Sequence, residues 1–261
     1  MGVHQNYLYQ LQNYYLIFLN NMGRATRNIV SLKNGQDLQP LTIIIPGAGQ
    51  GTRMKSYGPK PLTKIGNSTI IERQTKLLKE QFPNATIILI SGYEAVRVMN
   101  NSPEGIIHIE NERFASTEVL KSIAIGLRAT ITNRVLLVYG DLVFNSDTLK
   151  YPLKDKSLLF IDTSNTMTED EVGCTINSKN EVENILYDLT PKWAQISYFV
   201  GKELKLLQQL AFNPLNEKLF GFEIINEIIN KGGIFTTASP KNIMVNDIDC
   251  SKDILIAEKI I

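Results

Sequence analysis

A glycine-rich segment carries the residues best suited to chemistry. Positions 45–54 read Ile-Pro-Gly-Ala-Gly-Gln-Gly-Thr-Arg-Met, and Lys60 follows between Pro59 and Pro61. Glycines after a buried strand let the backbone come close to a ligand and turn its N–H groups towards phosphate oxygens. Arg53 adds a planar, permanently charged fork, and Lys60 adds a second cation on a chain stiffened by proline. The segment therefore predicts a phosphate-binding turn.

Two other glycine motifs do not fit these letters. A dinucleotide-binding turn has the pattern G-x-G-x-x-G, with a third glycine that opens a helix. A Walker P-loop ends in G-K-S or G-K-T, whereas Gly51 is followed here by Thr52 and Arg53. The spacing G-x-G-x-G-x-R therefore disfavours both a Walker-type site and a nicotinamide-dependent oxidoreductase.

The elements that must position these residues are predicted from apolar patterning. Residues 41–45 are β-branched and apolar on both faces, as in a central parallel strand. Similar strands are expected at 86–90 and 135–139, with one helix starting at Ser68 as its N-cap and another over 117–129. This alternation predicts a parallel α/β sheet in which the loops that follow the strands lie along one edge.

The second half of the chain continues the pattern with shorter elements. Strands are expected at 157–162, 173–176, 183–187 and 196–200, and helices at 202–211 and 219–230. We predict one domain over residues 41–261, with a lid-like second half that continues the same sheet. Residues 1–40, rich in Asn, Gln and Tyr, are predicted to be an N-terminal extension.

Taken together, these segments resemble the signature of a known superfamily. The run 45–54, the sequence Pro-Lys-Pro-Leu at 59–62 and Gly66 are similar to the signature of the sugar-phosphate nucleotidyltransferases. That superfamily includes sugar-1-phosphate nucleotidylyltransferases and phosphocholine cytidylyltransferases. The resemblance runs from Leu41 to the C-terminus and implies an α/β fold. Its sheet would be Rossmann-like, mostly parallel but mixed, and flanked by helices, as in nucleotide-diphospho-sugar transferases.

The resemblance also implies a magnesium site. Asp141, which ends the sequence Val-Tyr-Gly-Asp, is similar to the family's aspartate that holds Mg²⁺ against the nucleotide phosphates. Asp249 matches the family's second metal ligand, and Asp253 matches an aspartate that opens the last helix. Asp247 stays open as an alternative to Asp249, because residues two apart point to the same face of an extended chain. Mg²⁺ prefers one or two carboxylates together with phosphate oxygens and water.

Further site residues are expected from the same resemblance. The catalytic residues are Arg53, Lys60 and Asp141. The nucleotide phosphates are expected to contact Gly47, Ala48, Gly49, Gln50, Gly51 and Thr52. Tyr93 and Asn111 lie in loops that resemble the family's base-recognition loops, and Ser122 is a candidate to contact the base or the substrate. Lys192 and Trp193 are candidates for binding the acceptor, Lys192 through its phosphate and Trp193 in an aromatic box with Tyr187, Tyr198 and Phe199. The alternatives are a surface lysine and ordinary core aromatics.

The composition limits the classes of function. The 261 residues carry 27 Lys and Arg against 26 Asp and Glu, a net charge of +1, which argues against a nucleic-acid or anionic-lipid surface. Cys174 and Cys250 are too few for a disulfide framework or a four-thiolate zinc site, and His4 and His108 are expected to be structural. The sequence shows neither an apolar run of membrane-spanning length nor a secretory signal, so a cytoplasmic location is expected.

The sequence as a whole predicts a Mg²⁺-dependent nucleotidyltransferase. We expect it to transfer a nucleoside monophosphate from an NTP to a sugar-1-phosphate or similar phosphorylated acceptor, with release of pyrophosphate. Phosphocholine is an alternative acceptor, and a catalytically silent sensor of nucleotide or sugar phosphate is the alternative from another class. Neither a nucleic-acid partner nor membrane insertion is expected. The base, the acceptor and a homo-oligomer stay open.

Overall fold

The computed structural model describes residues 37–51, 58–163 and 171–261. Most of the predicted extension, and Thr52 and Arg53 of the glycine-rich segment, lie outside the described residues. The strands in these ranges are β1 (Leu41–Pro46), β2 (Lys64–Ile65), β3 (Ser68–Thr69), β4 (Ala85–Ser91), β5 (Ile107–Glu110), β6 (Arg134–Val138), β7 (Leu142–Phe144), β8 (Leu158–Asp162), β9 (Val172–Ile176), β10 (Val182–Tyr187), β11 (Lys192–Val200), β12 (Thr236–Ala238) and β13 (Val245–Asp247). The α-helices are α1 (Ile70–Gln81), α2 (Ala95–Asn100), α3 (Val119–Arg128), α4 (Gly201–Ala211), α5 (Gly221–Asn230) and α6 (Ser251–Ala257). None of these helices has the length and apolar character needed to cross a lipid bilayer.

Nine of the strands form one mixed sheet. Its order is β10-β9-β11-β6-β1-β4-β5, with β8 paired to β11 and β12 paired to β8. The strands β6, β1, β4 and β5 run parallel, and β11 runs antiparallel to β6. The predicted α/β class with a mixed sheet is confirmed, and the second half of the chain extends the same sheet as expected.

The central strand β1 is buried on both faces, because helices cover the sheet on each side. Ile44 packs in the cluster that contains Ile123 of α3. Its neighbour Ile43 points to the opposite face and packs in the cluster that contains Ile71 and Leu78 of α1. Successive side chains of a strand alternate between faces, so an apolar run without alternation indicates a strand covered on both sides.

Helix α1 begins one residue later than predicted. Its N-cap is Thr69, whose Oγ1 accepts a hydrogen bond from the Glu72 backbone N–H at 3.3 Å, while Glu72 Oε2 accepts one from the Thr69 N–H at 2.6 Å. This reciprocal pair is a capping box. Ser68, the predicted N-cap, instead lies in β3, which pairs with β2. The prediction of Ser68 as the N-cap was wrong because a short hairpin uses that residue.

A buried ion pair attaches the first described residues to the sheet. Asp37 Oδ2 lies 2.6 Å from Arg134 Nη2. Arg134 also donates hydrogen bonds to the Tyr198 hydroxyl and to the Leu153 carbonyl, both at 2.9 Å. Residues 37–40 are therefore anchored to the domain, although the division at residue 40 stays a prediction.

Candidate active site

A cavity of about 560 Å³ opens where β1 and β6 end. The chain order changes direction at this point, because β4 and β5 lie on one side of β1 and β6 lies on the other. In open α/β sheets, ligands bind in the crevice at the carboxyl ends of the strands at such a switch point. The volume also falls within the range of about 300–1,000 Å³ that is typical of small-molecule sites.

Most of the predicted site residues that the structure describes line this cavity. They are Gly47, Ala48, Gly49, Gln50, Gly51, Lys60, Asn111, Ser122, Asp141 and Asp249. Tyr93, Lys192 and Trp193 are outside its lining. The described glycines of the segment therefore line the same cavity as the two aspartates.

The floor of the cavity is a backbone contact between the ends of β1 and β6. The Gly140 N–H donates to the Pro46 carbonyl at 3.1 Å. A Cβ atom at position 140 would lie 2.8 Å from the Gly47 Cα, closer than such atoms pack, so a side chain at this position requires the two strand ends to separate. The Gly47 N–H donates in turn to the Ile90 carbonyl of β4 at 2.8 Å. The glycine-rich segment thus leaves the sheet from a fixed point.

A two-stranded ribbon brings together the two aspartates that are distant in sequence. Asp141 directly precedes β7, and Asp249 closely follows β13. These strands pair antiparallel, with Leu142 opposite Asp247. The Ile248 N–H also donates to the Asp141 carbonyl at 3.0 Å. Both carboxylates therefore project from the same end of one ribbon.

The two carboxylates meet on the ammonium group of Lys60. Lys60 Nζ lies 2.9 Å from Asp141 Oδ2 and 2.5 Å from Asp249 Oδ1. Burial would by itself lower the pKa of Lys60, but the two carboxylates outweigh it and hold that pKa above its usual value. Lys60 is therefore a charged ammonium at every physiological pH. The second oxygen of Asp141, Oδ1, is buried and has no hydrogen-bond partner among the described residues.

Asp253 fixes the backbone that carries Asp249. Its Oδ2 accepts hydrogen bonds from the Asp249 N–H at 2.7 Å and from the Cys250 N–H at 2.6 Å, at the start of α6. A carboxylate at the start of a helix satisfies N–H groups that have no partner within the helix. Asp253 therefore makes structural hydrogen bonds at the start of α6, where the resemblance expects an aspartate.

Asp247 lies beside a different cation. Its carboxylate is 3.6 Å from Lys192 Nζ. Burial is the main cause that raises the pKa of Asp247; Lys192 opposes this effect, while Asp141 and Asp249 add to it. Of the two candidates for the second metal ligand, Asp249 is thus the one that shares a cation with Asp141. The choice of metal ligand stays a prediction.

Asn111 and Ser122 form a buried hydrogen-bond pair at the far wall. Asn111 Nδ2 donates to Ser122 Oγ at 3.2 Å, and Asn111 Oδ1 accepts from the Arg113 N–H at 3.1 Å. This pair fixes the loop that leads into α3. Tyr93 helps to fix the backbone of the glycine-rich segment, because its N–H donates to the Ala48 carbonyl at 3.1 Å.

Lys192 and Trp193 lie behind the cavity. Lys192 is buried on β11 and forms an ion pair with Glu171, so it is not a surface lysine. The Trp193 ring is also buried and packs edge-on against Tyr139, which does line the cavity, with 5.8 Å between ring centroids. Tyr198 and Phe199 are core residues, so the four aromatics do not form a box. The acceptor-binding assignments of Lys192 and Trp193 stay predictions.

Sequence reasoning missed the wall formed by Phe220. Phe220 precedes α5, lines the cavity while 48% exposed, and stacks on Phe222 with 6.3 Å between ring centroids. Its segment is clamped by Glu217, whose carboxylate lies 2.8 Å from Arg113 Nη1 and 2.6 Å from Lys121 Nζ. The sequence Phe-Gly-Phe at 220–222 was a signal, since an aromatic next to a glycine suits a close approach.

Backbone hydrogen bonds reinforce this clamp. The Glu118 N–H donates to the Glu217 carbonyl at 2.9 Å, and the Leu120 N–H donates to the Leu219 carbonyl at 3.4 Å. Glu118 also lines the cavity and was missed. Segments 118–120 and 217–219 are therefore joined to each other next to Phe220.

The donor set at the two carboxylates fits Mg²⁺. Asp141 offers a buried oxygen that lacks a partner in the described part of the chain, and Asp249 offers a second carboxylate beside it. Within the described ranges, no three or more His, Cys, Asp or Glu side chains gather into a metal site. Two carboxylates suit a cation that takes only one or two protein carboxylates and completes its shell with phosphate oxygens and water.

Comparison with known sequences agrees with this geometry. Residues 43–157 match the model of the MobA-like NTP transferase domain. The bifunctional protein GlmU of Solibacter usitatus is 33% identical over 104 residues, covering 40% of this chain and 22% of that protein. The GlmU protein of Buchnera aphidicola is 24% identical over 202 residues, covering 71% of this chain and 43% of that protein. The chain thus spans less than half the length of these two relatives.

Solved structures share the fold. CTP:phosphocholine cytidylyltransferase from Streptococcus pneumoniae has a TM-score of 0.69 at 19% identity, covering 84% of this chain and 98% of that one. The inositol-1-phosphate CTP transferase from T. maritima also has a TM-score of 0.69, at 16% identity, covering 86% of this chain and 97% of that one. The family model, the relatives and the shared fold confirm the predicted resemblance to the sugar-phosphate nucleotidyltransferase superfamily.

Proposed function

We propose that this protein transfers a nucleoside monophosphate from an NTP to a sugar-1-phosphate or similar phosphorylated acceptor and releases pyrophosphate. One observation carries the proposal. The carboxylates of Asp141 and Asp249 and the ammonium of Lys60 converge in the same cavity that the glycines 47–51 line. A triphosphate with a bound divalent cation is a ligand that needs N–H groups, a cation and carboxylates together.

Each group has a part in binding the NTP. The backbone N–H groups of Gly49 and Gly51 would cradle the phosphates, and Lys60 would neutralise their charge at close range. Arg53 would add a second cation, a role that rests on its sequence position. Asp141 and Asp249 would hold Mg²⁺, which when bound acts as a Lewis acid that neutralises phosphate charge.

The reaction exchanges one phosphoanhydride linkage for another. An oxygen of the acceptor phosphate forms a bond to the α-phosphorus, and the bond from that phosphorus to the oxygen bridging to the β-phosphate breaks. The electron pair leaves with pyrophosphate. Because the attacking phosphate is already anionic, no side chain has to remove a proton. Catalysis then depends on positioning the two substrates and on neutralising the negative charge that develops on the leaving pyrophosphate. Lys60 and the N–H groups of the glycine segment would supply both effects.

The exposed aromatic side chain of Phe220 indicates which acceptors the cavity could bind. Phe220 presents an apolar face to the cavity, with Phe222 stacked behind it and Tyr187 packed against Phe222 at 5.2 Å between centroids. An aromatic face suits the C–H side of a sugar ring. It also suits a trimethylammonium group through cation–π attraction, which keeps phosphocholine as a second candidate acceptor.

A substrate panel tests the proposal. The full chain would be mixed with each of the common NTPs, Mg²⁺ and a set of acceptors that includes several sugar-1-phosphates and phosphocholine, and pyrophosphate would be measured. Pyrophosphate that depends on both one NTP and one acceptor is the expected result. Saturable NTP binding without pyrophosphate for any acceptor would instead favour the sensor.

Two variants test the assigned residues. Lys60→Ala and Asp141→Asn are each expected to reduce turnover by about 100-fold or more, the usual loss for one preorganised electrostatic group. Asp147→Asn is the matched control, because Asp147 is paired with Lys150 on the surface and lies outside the cavity lining. Near-normal turnover of either site variant, with pyrophosphate formed by the parent protein, would contradict the assigned role.

A further inference from the structure

Lys60 lies between the two carboxylates that would hold the divalent cation. An ammonium and a divalent cation repel each other, so the oxygens that now face Lys60 cannot hold both at this separation. We propose that Lys60 competes with the divalent cation for Asp141 and Asp249, and that a bound triphosphate relieves the competition by drawing the ammonium to its own oxygens. This inference rests on the proposed function and concerns how its two ligands bind.

The backbone of Lys60 is fixed, so only its side chain can make this exchange. Lys60 begins a short 3-10 helix, Lys60–Leu62, in which the Leu62 N–H donates to the Pro59 carbonyl and the Thr63 N–H to the Lys60 carbonyl, both at 2.9 Å. Pro61 is buried. Prolines on both sides further restrict the chain. A lysine stem has four rotatable bonds, and its ammonium can change partners without moving the backbone.

The phosphate-binding turn lies within reach of the same side chain. A Cβ atom at Gly51 would lie 3.0 Å from Lys60 Cγ and 3.4 Å from Lys60 Cε, so Gly51 covers the stem of the lysine. Phosphates held by this turn would therefore offer anionic oxygens close to the ammonium. The exchange needs only a rotation of the side chain from the carboxylates to the phosphates.

One oxygen of Asp141 favours this exchange when both ligands are present. Lys60 contacts Asp141 Oδ2, whereas Asp141 Oδ1 is buried without a hydrogen-bond partner among the described residues. A divalent cation bound at Asp141 would give this oxygen a partner once the ammonium has moved. Nucleotide and divalent cation should then strengthen each other's binding, since a coupling free energy acts equally on both ligands.

The test measures metal binding without nucleotide or turnover. Mn²⁺, a paramagnetic stand-in for Mg²⁺, would be titrated into the full chain while the free ion is followed by electron paramagnetic resonance. Lys60→Met and Lys60→Gln are expected to bind Mn²⁺ at least about tenfold more tightly than the parent protein, within the usual range of coupling between sites. Adding Asp249→Asn to Lys60→Met should abolish the gain.

A matched control separates local competition from overall charge. Lys64→Met removes the same charge from an exposed position on β2, and it should leave the Mn²⁺ affinity unchanged. Equal Mn²⁺ affinity in the parent and in both Lys60 variants, or an equal gain in Lys64→Met, would overturn the inference. Lys60→Gln keeps a hydrogen-bond donor between the carboxylates and serves as the test if Lys60→Met does not fold.

The outcome does not depend on the proposed function being observed. If no substrate pair yields pyrophosphate, the Mn²⁺ titration still decides whether Lys60 competes for the carboxylates. If pyrophosphate forms but the Lys60 variants gain no Mn²⁺ affinity, the competition is wrong and the proposed function stands.

Discussion

Gln74 offers a sharp test of how the site is held in place. Its Nε2 donates to the Tyr139 and Leu142 carbonyls, both at 2.8 Å, and these carbonyls bracket Asp141 in the chain. Gln74 comes from α1 and is only 2% exposed. The amide therefore fixes the short loop that carries one candidate metal ligand, although it does not line the cavity.

The cost of removing this amide can be worked out from its bonds. Gln74→Leu removes one donor from each carbonyl. The Tyr139 carbonyl keeps the Leu142 N–H at 3.4 Å and loses only about 1 kcal/mol, whereas the Leu142 carbonyl loses about 1–3 kcal/mol if it becomes unsatisfied. The substitution also removes Gln74 Oε1, which is buried without a partner in the described part of the chain and which returns about 1–3 kcal/mol. The net loss in the free energy of unfolding should be about 1 kcal/mol. For a domain of this size, that lowers Tm by about 2–4 °C.

The matched control is the next residue along the helix. Thr75 is as buried as Gln74, but its hydroxyl has no hydrogen-bond partner among the described residues. Thr75→Val should therefore leave the free energy of unfolding unchanged or raise it by about 1 kcal/mol. Urea unfolding of both variants, followed by circular dichroism, measures the difference.

Turnover tests the positioning of Asp141 separately from stability. At a temperature where Gln74→Leu is fully folded, it should still form pyrophosphate at least about tenfold more slowly than the parent, because small misplacements at a site are costly. Gln74→Leu within about 0.5 kcal/mol of the parent and with normal turnover would refute the reasoning. Loss of stability alone would show that the amide supports the fold without orienting the carboxylate.

Three further variants probe the fold around the site. Asp37→Asn leaves the buried Arg134 without its carboxylate. It should lower the free energy of unfolding by about 2–3 kcal/mol, less than the usual cost of about 3–5 kcal/mol for a broken buried ion pair, because Arg134 keeps other hydrogen-bond acceptors. An unchanged midpoint of urea unfolding would contradict this. Gly140→Ala places a Cβ 2.8 Å from the Gly47 Cα and should reduce pyrophosphate formation by about tenfold or more; normal kinetics would show that the strand ends can separate freely. Burial lowers the pKa of His108 in the folded protein. Below about pH 6.5 the unfolded chain therefore binds a proton more readily than the folded chain, and the free energy of unfolding decreases as the pH is lowered. His108→Leu should flatten this fall between about pH 7.5 and 5.5 in thermal unfolding, and an identical slope would exclude His108 as its source.

The local pattern of apolar residues was enough to predict the strands at the centre of the sheet. The apolar runs at 41–45, 86–90 and 135–139 correspond to β1, β4 and β6, with ends displaced by a residue or less. These strands are buried on both faces, so their composition carries a strong signal. The prediction of the glycine-rich turn depends on the same signal, because the turn follows β1.

Elements whose existence depends on distant partners were not predicted. The edge strand β5 is only half-buried, and its sequence, Ile-His-Ile-Glu, carries a weak pattern over four residues. The ribbon of β7 and β13 exists because segments far apart in the chain pair with each other. Local patterning could not therefore place Asp249 beside Asp141; the resemblance to a family supplied that expectation. Phe220 escaped for the same reason, since its place at the cavity depends on the Glu217 clamp.

The manner in which the segment 217–219 is attached has a consequence for how selectivity could diversify. Main-chain hydrogen bonds join it to 118–120, and they do not depend on which side chains the segment carries. The side chain of the neighbouring Leu215 is 90% exposed. Provided that Glu217 and Gly221 are kept, substitutions at Phe220 could reshape the side of the cavity that we propose for the acceptor; Gly221 has to stay because a Cβ there would lie 2.0 Å from the Tyr139 hydroxyl. This stretch is accordingly the natural target for a combinatorial library aimed at new acceptors.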